Sequence, residues 1–237
     1  MRLAGTTLRT LPLLCLGLAG CSGLLQSKAK PEQTYFLRAP AARPTGTNSA
    51  AGGAAAAAAT PAIGASLRVI RPVASPGLDT SRIMLVQADR RMNFFAGSRW
   101  PATAPEVIEA LAVETLRSSG GFATVEGSAS PFPADYPLQV HVRRFEAEYD
   151  EGAGAPAVHV VLDCIVGRRE GREVIATFTA SGTAAAAANR LGEVVIAFEQ
   201  ATGTALQALS QQTEQAVRAD TQRPAQNADK PLASISR

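Results

Sequence analysis

The chain has 237 residues with 23 Lys and Arg against 20 Asp and Glu, a formal net charge of +3, and only two histidines. So small a basic excess, with no Lys/Arg cluster interleaved with aromatics, excludes a nucleic-acid-binding surface. Three cysteines, of which Cys15 lies in a removable leader, rule out a disulfide scaffold.

The N-terminus carries Arg2 and Arg9, then the apolar run Leu11 to Leu18, then Ala19-Gly20-Cys21. That run is about half of the ~20 residues that a membrane-spanning helix needs. A basic start, a short apolar core and small residues before a cleavage point describe a signal peptide over residues 1–20. Leu18-Ala19-Gly20-Cys21 resembles the lipobox of bacterial lipoproteins, so Cys21 is expected to carry the lipid and become the new N-terminus. Several acyl chains hold a protein on a membrane where one binds only marginally. By the same resemblance, Ser22 implies sorting to the outer membrane, since an aspartate there would favour the inner one. Loss of Arg2 and Arg9 leaves a nearly neutral chain, and Cys164 is then the one cysteine besides Cys21. It lies in an apolar run and reads as a small buried hydrophobe.

Residues 21–33 read as a polar, lipidated tether and Tyr35-Phe36-Leu37 as a short strand. Residues 39–65 are low-complexity Ala/Gly/Pro/Thr, including six alanines at 54–59, too short to hold a helix in water, and are expected to be disordered. Leu67 to Val73 is β-rich and ends at Pro72; Pro76-Gly77-Leu78-Asp79 is turn chemistry. Ile83 to Val86 and Arg91 to Phe95 read as a hairpin, followed by a Gly97–Pro101 loop. A helix is predicted from Pro105 to Arg117, with Pro105 and Glu106 suited to its first turn and Gly120-Gly121 to its end. Phe122 to Val125 follows as a strand.

After Pro131, Pro133 and Pro137, Leu138, Val140 and Val142 alternate with polar residues. Phe145 then falls on the wrong parity unless a β-bulge near Arg143-Arg144 supplies one extra residue. Val158 to Val166 and Val174 to Ala180 continue the alternation, and the three segments read as an antiparallel meander. Val195, Phe198, Thr202, Ala205, Leu206, Leu209, Ala216 and Val217 share one face of a long helix from about Leu191 to Val217. The fold class expected is α+β, a mostly antiparallel sheet in two strand blocks, each followed by a helix packing on it. The domain spans 34–217, and 218–237 reads as a disordered tail.

The order of these motifs resembles the ABC-type transport auxiliary lipoprotein family, whose best-known branch holds the paraquat-inducible C lipoproteins. The resemblance rests on Tyr35-Phe36-Leu37 soon after the lipid cysteine, Leu67 to Val73 with Leu78-Asp79, and Ile83 to Val86. Arg99-Trp100 before the first helix, Val140-His141-Val142-Arg143-Arg144-Phe145-Glu146 and the alanine-rich last helix complete it. Two departures are the length of the 39–65 insertion and Thr80-Ser81, which intervene between Leu78-Asp79 and Arg82. The resemblance implies a lipid-anchored, periplasm-facing subunit that docks on a mammalian-cell-entry (MCE) domain protein of a lipid transport system, alongside a permease and an ATPase. A Walker A loop is absent, and no long apolar run follows Cys21, so this chain is neither of those two.

No enzyme chemistry is expected. His141 and His159 fall on polar strand faces without a third ligand nearby, Ser98 and Ser181 have no partners for a catalytic triad, and no nucleophile elbow occurs. No metal or cofactor is implied. Candidate partner-binding residues are Leu78, Asp79 and Arg82 on a turn, and Arg99 with Trp100; Trp and Arg are enriched in binding hot spots. Against this, Trp100 also suits a packing role beneath the first helix. The length of the last helix leaves room for contact with a second copy. The alternative reading is an envelope lipoprotein that binds a lipid or glycolipid itself, in a cavity lined by apolar side chains.

Overall fold

Three sequence stretches, residues 31–40, 62–152 and 154–223, are described by the computed structural model. Cys21, the 1–20 leader, residues 41–61 of the low-complexity insertion and the chain from 224 onward lie outside them. All the elements belong to one unit that begins at Gln33. They are β1 (Gln33–Thr34), β2 (Ile63–Val69), β3 (Val73–Ala74), β4 (Arg82–Val86), β5 (Met92–Arg99), α1 (Ala104–Ser118), β6 (Phe122–Glu126), β7 (Tyr136–Glu148), β8 (Ala157–Arg168), β9 (Glu173–Ala185) and α2 (Leu191–Thr221).

The nine strands make a single mixed sheet, which corrects the expectation of a mostly antiparallel one. β4–β5, β7–β8 and β8–β9 are antiparallel, and they are the pairs joined by short turns. β2, β3 and β4 each lie parallel to β7, β2 also lies parallel to β6, and β1 to β5. The physical reason is the α1 crossover: after a helix the chain returns beside its earlier strands in the same direction. The two strand blocks therefore interleave around β7 instead of forming separate layers.

The predicted meander is present as β7–β8–β9. So is the bulge: Val142 pairs with Leu162 but Arg144 with Val161, which leaves Arg143 as the extra residue. Arg143 and Arg144 both escape the core, and Phe145 returns to it.

Local boundaries shift where tertiary contacts outweigh local composition. β2 starts at Ile63, inside the stretch read as disordered, because the Ile63 N–H donates to the Gly121 carbonyl (2.7 Å) and the strand pairs with β6. The first strand is Gln33–Thr34 rather than Tyr35 to Leu37; only the Tyr35 N–H continues the ladder, to the Arg99 carbonyl (2.9 Å), and Phe36 is exposed. β5 runs on through Gly97, Ser98 and Arg99, where a loop was expected, since Gln33 and Thr34 pair with Ser98 and Arg99.

α1 starts where Pro105 and Glu106 predicted. The Thr103 N–H donates to Glu106 Oε2 (3.2 Å), and Glu106 Oε1 accepts from Arg71 (2.7 Å). Gly120 ends it with φ +66, a conformation that costs glycine nothing. α2 extends four residues past the predicted Val217. Asp220, 6% exposed, holds its last turn: Asp220 accepts from the Tyr136 hydroxyl (3.0 Å) and from Arg168 Nη1 (3.2 Å). Burial first, then this hydrogen bond, pushes the Tyr136 phenol up to about 12. An aspartate at a helix C-terminus opposes the helix dipole, so this residue is legible only with its partners in place. Asp220→Ala removes the buried partner of the Tyr136 hydroxyl and one of the two carboxylates on Arg168, itself about a third exposed and still paired with Glu173. About 2 kcal/mol of destabilisation is expected in urea unfolding, below the 3–5 of a wholly buried pair; Asp220→Asn, which keeps the Tyr136 contact, should lose less.

One core joins the helices to one face of the sheet. α1 packs on β6, β2 and β7, α2 on β9, β8 and β7, and the helices touch each other. At the centre Trp100, Phe145 and Phe198 form a triangle of rings, with centroids 5.8, 5.2 and 5.1 Å apart. The closest backbone approach is at Gly182 on β9, where a Cβ would stand 2.0 Å from the Ala201 carbonyl oxygen of α2.

Candidate functional site

Pairing of β4 with β5 sets Arg82 opposite Arg99, and the Trp100 N–H donates to the Ser81 carbonyl (2.7 Å). The five candidate positions, from two separate stretches of sequence, are thereby gathered at one corner of the sheet. They divide by burial. Leu78 and Trp100 are in the core, and Trp100 at 1% exposure offers no surface. That corrects the reading of these two as contact residues: the Trp100 indole fills the gap between Phe145 and Phe198, where its apolar area is fully used. Asp79 and Arg82 face solvent, and Arg99 is half-buried, its Nε donating to the Trp100 carbonyl (3.4 Å). Arg82 stacks over the Phe94 ring, 3.9 Å from guanidinium carbon to centroid, which orients an otherwise flexible cation.

Sequence reasoning missed a second feature. On the sheet face opposite the helices, a groove of about 750 Å³ crosses the ends of β2, β7, β8 and β9. Ile70, Ile165 and Val174 supply apolar surface, Pro131 and Pro133 form a wall, and Arg68, Arg168, Arg169 and Arg172 supply charge against Glu173 alone. Pro137 and Gly167 keep the floor low; a Cβ on Gly167 would come within 3.3 Å of Pro137 Cγ. The groove draws on three separate stretches of sequence, 68–70, 128–139 and 165–174, so no local motif announces it. The only signals were Arg68 interrupting a β-rich run and three arginines crowded into the turn before β9.

Beside it, the backbone N–H and hydroxyl of Ser66 donate to Asp135 and hold its carboxyl below the ordinary value of 3.8. Arg144 does the same for Glu148, whose ordinary value is 4.5. A carboxylate whose pKa is depressed by folding contributes stability above its unfolded pKa and loses it as pH falls through the folded one. Stability should therefore decline below about pH 4.5, and Asp135→Asn should flatten that decline in acid titrations followed by circular dichroism.

Cys164 is buried, and desolvation first, then Asp163, pushes its thiol up to about 12, so it is protonated and unreactive at neutral pH. His141 contacts the Ser75 hydroxyl (3.4 Å), and His159 lies between Thr183 (3.3 Å) and Glu148 (3.7 Å). Among the described residues no group of three His, Cys, Asp or Glu is placed to hold a metal ion, and no helix is long and apolar enough to cross a membrane.

One α+β unit built around a central β7 is the arrangement to compare with known proteins. The model of the ABC-type transport auxiliary lipoprotein component family matches residues 48–212, and the chain belongs to that family. It is thus a lipoprotein of the bacterial envelope and an auxiliary component of ABC-type transport. No curated protein matches it in sequence. Among solved structures it is similar to protein XCC0632 from Xanthomonas campestris, at 24% identity and a TM-score of 0.66, over 82% of this chain and 100% of that one. An uncharacterized protein matches at 15% identity and a TM-score of 0.55, over 77% of this chain and 99% of that one. Both share the fold.

Proposed function

We propose that this protein is a non-catalytic subunit of an MCE-type lipid transport system, anchored by acylated Cys21 in the outer membrane and facing the periplasm. It docks on the MCE protein that works with the permease and ATPase. Family membership carries the reading. The corner formed by Asp79, Arg82 and Arg99 supports it, because two arginines in register, one of them stacked on an aromatic ring, suit an interface better than scattered charge.

The test is purification from crosslinked cells. Wild-type protein is expected to bring down an MCE-domain protein, and Arg82→Glu together with Asp79→Lys to reduce that recovery at least about tenfold, since reversed charges add repulsion to the lost contact. Recovery of wild-type protein without an MCE protein would refute the docking. Cys21→Ser checks the anchor separately: it should release the protein from the membrane fraction.

A further inference from the structure

The groove on the helix-free face has an electrostatic mismatch. Arg168 is neutralised by Glu173 (2.5 Å) and Asp220 (3.2 Å), and Arg169 has Asp135 nearby. Arg68 is different: it lines the groove while its Nε and Nη2 lie buried without a hydrogen-bond partner, so the guanidinium gains one only by turning into the groove. These two nitrogens form the side of a guanidinium that takes two oxygens of one phosphate or carboxylate at once. Leaving a charged group desolvated and unmatched is costly.

Arg172 is the second. It has no ion pair among the described residues, and it sits at φ +52, a left-handed conformation that an arginine adopts only at a cost. Glycine or asparagine would fit that position better, so the arginine is not there for the turn. Next to these cations, Ile70 and Val174 are 40% and 60% exposed within the same concavity.

We propose that this groove binds a phosphate-headed acyl lipid, with Arg68 and Arg172 taking the phosphate and Ile70, Ile165 and Val174 the first part of the chain. Its volume falls within the ~300–1,000 Å³ of small-molecule sites. An extended peptide is disfavoured, because peptides of that kind dock through free backbone groups. Here the floor strands β2, β7 and β8 are paired on both sides, the Pro131 and Pro133 wall lacks N–H groups, and only β9, at the rim, has an open edge. Inorganic phosphate would leave the apolar half unused. The inference is independent of the docking reading, since the groove shares no residue with the Asp79, Arg82 and Arg99 corner.

The test uses the full chain in phosphate-free, uncharged dodecyl maltoside micelles and a lysophosphatidic acid bearing a photoreactive diazirine near its headgroup, with adducts mapped by mass spectrometry. Labelling is expected on the peptides containing Ile70, Ile165 or Val174. It should fall at least about tenfold in Arg68→Met, which keeps the aliphatic stem, the loss that one charge-assisted hydrogen bond represents. Arg172→Asn should also lose labelling while melting no lower than wild type, so lost folding cannot explain the result. Equal labelling by the matching uncharged monoacylglycerol would overturn the proposal. So would unchanged labelling in Arg68→Met. Displacement by inorganic phosphate at concentrations similar to the lipid's would show an anion site without a lipid, and displacement by an acidic peptide but not by unlabelled lysophosphatidic acid a peptide site; either overturns it too.

Discussion

Gly182→Ala is expected to melt at least about 10 °C below wild type, from a loss of roughly 3 kcal/mol or more. The added methyl would stand 2.0 Å from the Ala201 carbonyl oxygen, 3.0 Å from the Ala201 carbonyl carbon and 3.0 Å from the Ala205 nitrogen. All three are backbone atoms, so no rotamer change relieves the clash. α2 must lift off β9 along the seam that carries Phe198, Ala201, Ala205 and Leu206, all of them fully or almost fully buried. Ser181→Ala is the matched control. Ser181 is next in sequence but points to the other face, where an extra or missing hydroxyl is worth within about 0.5 kcal/mol. Thermal unfolding of the pair separates helix seating from strand propensity. If Gly182→Ala melted with the control, the close approach of α2 to β9 would be wrong.

The second large effect is at Trp100. Replacement by alanine should cost about 4 kcal/mol, the range for removing a large buried aromatic. The ring touches both Phe145 on β7 and Phe198 on α2, so its loss opens a cavity between α2 and the sheet. Trp100→Phe should recover more than half of that, because a smaller ring still meets its two neighbours. Equilibrium urea denaturation of the three proteins decides it; a Trp100→Ala protein of wild-type midpoint would restore the case for a surface role. Tryptophan before a helix reads in the sequence as a brace for that helix or a contact residue; its ring neighbours are instead on β7 and α2, in the core.

What could be read in advance follows from how information is stored along the chain. Both helices were legible because their apolar spacing, Pro105, Glu106 and the Gly120-Gly121 pair are local signals. The bulge at Arg143 was legible because strict alternation leaves Phe145 on the wrong side unless one residue is added. Strand partners were not. Alternation tells which face of β2 is buried but not that β6 and β7 flank it in parallel, since pairing partners are chosen across distant sequence. The end of α2 was hidden for the same reason, as Asp220 looks like a tail residue until Tyr136 and Arg168 meet it. Of the candidate corner, the division into buried Leu78 and Trp100 and exposed Asp79 and Arg82 was not readable. The groove assembles only when β2, β7, β8 and β9 are side by side.

The central place of β7 also orders events in time. β3 gains its neighbour only when Tyr136 to Glu148 arrives, and β2 and β4, which pair first with β6 and β5, gain their second there. A chain emerging from its N-terminus, whether from a ribosome or through a secretion channel, thus holds only the β4–β5 hairpin and the β2–β6 pair, with nothing joining them, until β7 arrives past its midpoint. Long-range parallel pairing is slow to form, and that delay keeps the polypeptide threadable during passage and lets it close into shape only on the far side.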